Sequence, residues 1–129
     1  TSVTLVAGFP VAIPALSEYH HTLAMGNLVD SGQLDDGWMA ANRLSWSSGA
    51  GHTSTGCAFW NTTGSGTIQS MQYGWGYVIG TGPKVKVNTN LLHPNAAGSK
   101  AEDFVEGKGK AATLWPTSLY EHQRGLRLG

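Results

Sequence analysis

Short apolar runs alternate with polar or glycine-rich corners along the chain from Thr22 onward. This pattern is typical of strands of about four to eight residues, because turn-forming residues end each run before a helix can propagate. The runs predict five strand segments: Leu23–Asp30, Gly37–Trp46, Thr55–Thr62, Thr67–Ile79 and Lys84–Val87. The corners between them are Ser31–Gly32, Ser47–Gly51, Gly64–Gly66 and Gly80–Gly82. The pattern therefore predicts an all-β fold.

The two ends of the chain follow different patterns. Ser2–Pro14 is apolar but interrupted by Gly and Pro, which predicts a short strand and then an irregular crossing. From Leu91 to Gly109 the apolar rhythm disappears, so a long outer loop is expected. The segment Pro116–Arg124 predicts one short terminal helix, because Ser or Thr caps it and Glu121 lies in an early turn.

Two segments of the chain are similar to each other, Met25–Gly32 and Phe59–Gly66, since each has Asn near its middle and ends in Ser-Gly. A coil of parallel strands stacks such repeats about 4.8 Å apart. In such a coil the side chains of Asn27, Asn42 and Asn61 face inward and hydrogen bond along the stack. The alternative is an antiparallel sandwich in which these asparagines adopt left-handed turn geometry.

Length and charge narrow the class of protein. A chain of 129 residues is expected to form one domain, 1–129. Eight basic residues balance eight acidic ones, and charged residues make up only 12%, so we expect no nucleic-acid partner and no attraction to an anionic membrane. No apolar stretch reaches the roughly 18 residues that span a bilayer. The chain begins with Thr1 rather than Met, which favours a processed product.

Two short features bear on the cellular compartment. The single cysteine, Cys57, has no partner for an internal disulfide and is interpreted as a small buried thiol, with a catalytic nucleophile as the alternative. Asn61-Thr62-Thr63 is an N-glycosylation sequon, which makes Asn61 a candidate glycan site if the chain is secreted by a eukaryote.

The C-terminal part of the chain resembles the end of many secreted right-handed β-helix proteins of the pectate-lyase-like superfamily. The tail carries the likeness, in Glu102–Gly109 and then Leu114–Gln123 with its Pro-x-Ser-Leu-Tyr-x-x-Gln pattern. Cys57–Asn61 and Gln69–Gly80 are similar to the last rungs of such proteins. The likeness covers roughly Thr22 to Gly129 and is more specific for fold than for chemistry.

This resemblance implies the last rungs of a right-handed parallel β-helix, with residues 91–129 as a loop and terminal helix packing on the solenoid. It implies a secreted glycoside hydrolase or polysaccharide lyase, since the superfamily binds extended sugar chains along the solenoid. A complete member has many more rungs than 129 residues supply. We therefore expect a second chain that carries the earlier rungs and completes the groove.

Glycoside hydrolysis needs two carboxyl groups about 5 to 9 Å apart across the scissile bond. Asp35 and Asp36 are the candidate catalytic residues, with Asp30 as the other local carboxylate. Neighbours on a strand point to opposite faces, so both can act in one groove only if they lie on a loop. The alternative is a solvated turn, because Gln-Leu-Asp-Asp-Gly is ordinary turn chemistry.

A uronate lyase needs a base and cations beside the substrate carboxylate. The candidates are His20, His21, His52, Arg43 and Lys84. Among them His52, in a glycine-rich corner, and Arg43 are the candidate substrate contacts. No ligand spacing typical of a metal site occurs, and neither a metal nor another cofactor is expected.

Five Trp and four Tyr in a weakly charged chain favour sugar binding, because flat aromatic faces cover the C–H side of a pyranose ring. The candidates are Trp38, Trp46, Trp60, Tyr73, Trp75 and Tyr77. Tyr73, Trp75 and Tyr77 alternate, which puts them on one side of a strand. That side is either a binding platform or a packed face under the C-terminal loop. Trp115 is expected to pin the tail.

The sequence leaves three functions open. The first is a carbohydrate-active enzyme, a glycoside hydrolase or glycan-transferring protein that uses Asp35 or Asp36 in a groove completed by a partner chain. The second is a noncatalytic carbohydrate-binding or structural solenoid. The third is a uronate polysaccharide lyase, which rests on the resemblance alone.

Overall fold

The computed structural model describes residues 16–89 and 102–129. Its strands are short, because a corner follows each after a few residues. They are β1 Leu16–Glu18, β2 Leu28–Asp30, β3 Gly37–Ala41, β4 Ala58–Thr62, β5 Thr67–Met71, β6 Trp75–Thr81, β7 Lys86–Asn88 and β8 Glu102–Glu106. The same residues also form a 3-10 turn, Ala111–Thr113, and the helix α2 Leu119–Leu128. A short coiled segment, α1 Trp46–Gly49, lies between β3 and β4, and its Ser47 and Ser48 have left-handed φ values of 55° and 61°.

The strands form two four-stranded sheets, with the order β1-β3-β5-β7 in one and β2-β4-β6-β8 in the other. Odd-numbered strands therefore belong to one sheet and even-numbered strands to the other. After each strand the chain crosses to the opposite sheet. Every strand pair in both sheets is parallel. Parallel pairing also contradicts the alternative of an antiparallel sandwich.

The predicted fold class is wrong. The chain is not an all-β, right-handed parallel β-helix with a long outer loop, because its two sheets stay open and strands are mixed with helical segments. The long-loop prediction fails where β8 lies, since this strand pairs with β6 from Trp75↔Glu102 to Ile79↔Glu106. The prediction for Ser2–Pro14 lies outside the described residues, as does the loop before Ala101.

Strand bounds differ from the predicted runs for local reasons. The run Thr67–Ile79 is two strands, because Gln72–Gly74 breaks it and Gly74 has a φ of 81°. Only Leu28–Asp30 of the first predicted run is a strand. A terminal helix is confirmed, but it begins at Leu119 and continues to Leu128.

The core lies between the two sheets and takes side chains from both. Ala40 and Ile68 come from one sheet and Phe59 and Val78 from the other, and all four are buried. In sheet β2-β4-β6-β8 the residues beside Phe59 and Val78 must face outward, because side chains alternate along a strand. The inner face thus fixes which residues the sheet presents to solvent.

Each strand of the sheet β2-β4-β6-β8 has the same backbone bend at its end or within its last two residues. Asp30, Trp60, Ile79 and Glu106 share one register row. The residue after each has a left-handed φ: Ser31 52°, Asn61 53°, Gly80 68° and Gly107 65°. Glycine and asparagine tolerate this conformation better than most residues, so Asn61 follows the turn geometry of the alternative interpretation.

The internal repeat does not describe the observed register. It aligns Asn27 with Asn61, whereas the sheet pairs Leu28 with Ala58 and thus brings Asn27 beside Cys57. The Asn27 amide donates to the Cys57 thiol over 3.6 Å. The predicted ladder between Asn27 and Asn61 is therefore absent from the described structure.

Candidate functional site

The outer face of the sheet β2-β4-β6-β8 carries a row of uncharged, mostly apolar side chains. The register Leu28↔Ala58↔Tyr77↔Phe104 runs across all four strands. Leu28, Tyr77 and Phe104 expose 38%, 37% and 48% of their surface. Trp75, two residues before Tyr77 on β6, points to the same side and is 56% exposed. We call these five residues the aromatic face.

Two rings of the aromatic face form a stack. Tyr77 and Phe104 lie on neighbouring strands with ring centroids 5.6 Å apart and an interplanar angle of 16°. Parallel pairing in register produces this arrangement, because equivalent side chains stand side by side. Each ring therefore covers one flat face of the other, and the second face of Tyr77 is turned toward β4.

Ala58 lies on that side of Tyr77, and we call the space above its methyl group the slot. Neighbouring strands are about 4.8 Å apart, so the backbones at Leu28 and Tyr77 are separated by about 9.6 Å. A flat ring that contacts both walls at about 3.5 to 4 Å needs about 7 to 8 Å. The slot above Ala58 therefore has room for one ring between Leu28 and the open face of Tyr77.

Tyr73 and His52 form a second aromatic pair near the start of β6. Their ring centroids are 4.3 Å apart, and Tyr73 is 46% exposed. Tyr73 precedes the strand in the turn that Gly74 ends. Of the predicted stripe, Tyr73, Trp75 and Tyr77 are all exposed in the described structure, which matches a platform better than a packed face.

The C-terminal residues 115–129, which we call the C-terminal strap, border the aromatic face. The indole N–H of Trp60 donates to the Pro116 carbonyl over 2.8 Å. The amide of Asn61 donates to the Thr117 carbonyl over 2.9 Å. Trp60 lies two positions after Ala58 on β4, so the strap crosses the sheet about 7 Å from the slot.

Asp30 binds the first turn of α2. Its Oδ2 accepts from the Ser118 hydroxyl at 2.6 Å and from the Tyr120 backbone N–H at 2.9 Å, and its Oδ1 accepts from the Leu119 N–H at 3.2 Å. Burial acts to raise the pKa of Asp30, but hydrogen bonds from Ser118, Tyr120, Leu119 and Ser31 outweigh it and lower the pKa. The negative charge of the carboxylate also interacts favourably with the partial positive charge at the N-terminus of α2.

The predicted catalytic pair lies at a corner away from the aromatic face. Asp35 accepts from the Gln33 amide at 2.9 Å and, with its other oxygen, from the Ser65 N–H at 3.3 Å. Asp35 is exposed and Asp36 is half-buried. Both line a shallow hollow of about 470 Å³ with Ser65 and Gln69. These bonds suit a corner that fixes the turn before β5.

The predicted contact Arg43 is inside the molecule. It is 3% exposed, forms an ion pair with Glu18, and donates to the Ser47 hydroxyl at 2.6 Å. Trp46 covers its guanidinium with a centroid distance of 4.5 Å. Glu18 also accepts from His20 at 2.6 Å. This cluster holds β1 against the segment after β3, so the structure does not bring Arg43 and Trp46 to the aromatic face.

Trp38 also points inward. It packs edge-on against Phe59 with centroids 6.1 Å apart, and against Tyr19 at 6.0 Å. Burial and the nearby Cys57 raise the pKa of Tyr19 to about 12, so this phenol stays protonated at neutral pH. Trp38, Asp35 and Asp36 line a cavity of about 160 Å³ between the sheets, next to β1.

The remaining candidates are placed as follows. Cys57 is 1% exposed, which confirms the buried thiol. Asn61 is 8% exposed and its amide donates a hydrogen bond to the C-terminal strap, while its use as a glycan site stays a prediction.

Lys84 lies with Asp35 on the rim of a hollow of about 580 Å³. His21 packs on His20 at 5.1 Å. Across residues 16–89 and 102–129, no three His, Cys, Asp or Glu side chains gather where a metal could bind.

Three parts of this site escaped the sequence analysis. Phe104 was assigned to a loop, although Phe104 and Glu106 alternate with the inward Val105 as in a strand. Ala58 forms the floor of the slot only because Leu28 and Tyr77 pair with it on the two neighbouring strands. The sequence of a single strand does not show this pairing. The Ser118-x-x-Glu121 spacing does indicate a helix N-cap, but nothing local links that cap to Asp30.

No protein-family model, no curated protein and no solved structure matches this chain. Within the described ranges, no helix has the length and apolarity to cross a membrane. The likeness to pectate-lyase-like proteins therefore stays a prediction, and the function has to be argued from the geometry of the chain itself.

Proposed function

We propose that this protein is a noncatalytic carbohydrate-binding module that holds a neutral sugar chain on its aromatic face. The observation that carries the proposal is the position of Tyr77, which is 37% exposed, between the small side chain of Ala58 and the ring of Phe104, near the exposed indole of Trp75. The other ring face of Tyr77 is held by Phe104, so the ring is fixed before a ligand arrives. A fixed platform loses little conformational entropy on binding.

The chemistry of the aromatic face suits a sugar ring. The C–H groups of a pyranose form an apolar surface that stacks on an aromatic ring, while its hydroxyls stay in water. The row across the four strands carries no charged side chain: it consists of Leu28, Ala58, Tyr77 and Phe104. A neutral sugar that covers this row therefore removes no charged group from water. The slot has the width of one ring, and Trp75 lies about 7 Å along β6 to accept the next unit.

The carboxylates favour binding over catalysis. Asp35 uses both side-chain oxygens to hold Gln33 and Ser65. Asp30, two positions from Leu28, is occupied by the first turn of α2. The slot row itself contains no carboxylate to act as a proton donor or nucleophile. Secretion and a partner chain stay predictions of the sequence.

The test measures affinity for a panel of neutral oligosaccharides by calorimetry with the full chain. Ala58→Phe fills the slot and is expected to abolish binding, yet it stacks on Tyr77 and should fold normally. Trp75→Ala is expected to weaken binding by roughly five- to tenfold through the lost stacking. The matched control is Ala112→Phe, which changes an exposed residue elsewhere and should bind as the unaltered chain does.

Equal binding by Ala58→Phe and Ala112→Phe would exclude the slot. The enzyme alternative is tested on the same panel, because both aspartates reach one hollow. If new reducing ends or unsaturated products appear, and Asp35→Asn or Asp36→Asn abolishes them, the protein is an enzyme and the noncatalytic proposal is wrong.

A further inference from the structure

We propose that the C-terminal strap is a releasable cover at the border of the aromatic face, which detaches as a unit and uncovers Trp60. This inference rests on the proposed function for its consequence, an enlarged binding face, whereas the release itself is independent of any ligand. Four observations support it: the polar attachment of the strap, the side chains beside it, its fixed point and its free helix.

The strap is held by polar contacts to one edge of the sheet. The Asp30 carboxylate accepts hydrogen bonds from the hydroxyl of Ser118 and from two backbone N–H groups of α2. Trp60 and Asn61 donate to the carbonyls of Pro116 and Thr117. The hydroxyl of Ser31 also donates to Thr117 over 2.9 Å. Water can replace each of these bonds, so their loss costs far less than opening the core.

The helix α2 adds little apolar attachment. None of its ten residues is buried against the described part of the chain, and Leu126 and Leu128 are 73% and 76% exposed. Most helical stability in proteins comes from packing one apolar face. A ten-residue helix without that packing depends on its N-terminal cap, and here the cap is Asp30 together with Ser118.

The strap contacts Trp60, a side chain that would continue the aromatic face. Trp60 and Ile79 are the next outward positions after Ala58 and Tyr77 on the same two strands, about 7 Å further on. Both are half-buried. When the strap leaves, the indole of Trp60 loses its partner at Pro116 and becomes a second flat surface in line with the slot.

The fixed point of the strap is the segment that precedes it. Ala111 is 6% exposed, and the side chain of Leu114 packs on Gly80, which has no room for a Cβ. The chain is therefore anchored up to Leu114. Release bends the chain after this residue and leaves β6 and its neighbours in place.

The experiment compares hydrogen exchange of the α2 amides in three full-length variants. Asp30→Asn removes the carboxylate but keeps its shape, and Ser118→Ala removes the capping hydroxyl from the strap itself. Glu121→Gln is the matched control, because the ion pair that its carboxylate forms among the described residues is with Arg124 on the same helix. We expect exchange of α2 to rise by about tenfold in the first two variants, with β4 and β6 unchanged and oxidative footprinting of Trp60 increased.

The same variants separate this inference from the proposed function. If α2 exchanges no faster in Asp30→Asn and Ser118→Ala than in Glu121→Gln, or only together with β4 and β6, the releasable strap is wrong. Faster exchange with a severalfold gain in oligosaccharide affinity supports both proposals. Faster exchange with unchanged affinity overturns the enlarged face. Faster exchange with no binding by any variant overturns the proposed function and leaves the release standing.

Discussion

Asp30 shows how one residue takes its role from distant parts of the chain. Its partners Ser118, Leu119 and Tyr120 are 88, 89 and 90 residues away in sequence. By itself the position indicates only a strand-end carboxylate beside Asp35 and Asp36. In the structure it caps α2, and the effect of removing its charge therefore falls on the helix rather than on the corner that holds Asp35.

This role predicts a pH dependence for α2. The pKa of Asp30 is lowered in the folded chain, because hydrogen bonds from Ser118, Tyr120 and Leu119 outweigh its burial. An aspartate in an unfolded chain has a pKa of about 3.9. The stabilisation by Asp30 is therefore fully present above that value, and it is lost as the pH falls through the lower folded pKa.

The measurement is α2 helicity, followed by backbone NMR shifts from neutral pH to strong acid. Asp30→Asn is expected to cost about 1 kcal/mol of helix stability at neutral pH, and its difference from the unaltered chain should disappear in acid. A difference that persists in strong acid would contradict the capping role. A loss that begins above about pH 5 would assign the effect to another group, and Glu121→Gln is the control for that outcome.

At the scale of elements, a shared bend follows the row Asp30, Trp60, Ile79 and Glu106 in every strand of one sheet. It ends β2 and β8, whereas β4 and β6 continue two residues beyond the row. It also places Asn61 under the strap and Gly80 under Leu114. The sequence predicts a corner at Gly80–Gly82, but β6 continues to Thr81. Gly80 bends β6 without ending it, and the residues at the same position of the neighbouring strands, Asn61 and Gly107, have the same left-handed bend.

Gly80→Ala is expected to destabilise the fold for two separable reasons. Gly80 has a φ of 68°, and a Cβ there would lie 2.5 Å from Cδ2 of Leu114. Gly26→Ala is the matched control, since Gly26 has a φ of 65° and a Cβ added there would meet nothing within 4 Å. The control should lose about 1 to 2 kcal/mol from the left-handed backbone alone, and Gly80→Ala about 1 to 3 kcal/mol more from crowding.

Urea unfolding gives both free energies, and the double variant Gly80→Ala with Leu114→Ala separates them further. Removal of the Leu114 side chain should recover the crowding part while leaving the backbone part. Equal losses in Gly80→Ala and Gly26→Ala would show that Leu114 moves aside freely, which contradicts its role as the anchor of the strap.

At the scale of the whole molecule, local sequence patterns predicted where single strands and the helix lie better than they predicted how these elements assemble. Turn residues after apolar runs located most of β3, β4 and β5, and the Ser118 cap located α2, because these signals act over a few residues. The open sheets and β8 were not predicted, and parallel pairing was expected only from the resemblance, since parallel pairs join residues such as Leu28 and Ala58 from distant strands. The aromatic platform was visible as alternation, whereas the slot above Ala58 needed the register.

The shared core makes one last prediction about the whole molecule. Ile68 in β5 is fully buried among Ala40 of its own sheet and Phe59 and Val78 of the other. Because the chain alternates between the sheets, neither sheet can form its core without the other. Ile68→Ala is expected to lower the free energy of unfolding by about 2 to 5 kcal/mol. Gln69→Ala, the outward neighbour on the same strand, should change it by less than about 0.5 kcal/mol.

Hydrogen exchange distinguishes one cooperative core from two separate sheets. In Ile68→Ala, amides of β3 and β5 and amides of β4 and β6 should exchange faster by the same factor, because both sheets open in one unfolding step. Faster exchange confined to β3, β5 and β7 would show that the sheets unfold independently. The face that carries Tyr77 and Trp75 would then be stabilised by its own strands, and a change in the opposite sheet would leave sugar binding unaltered.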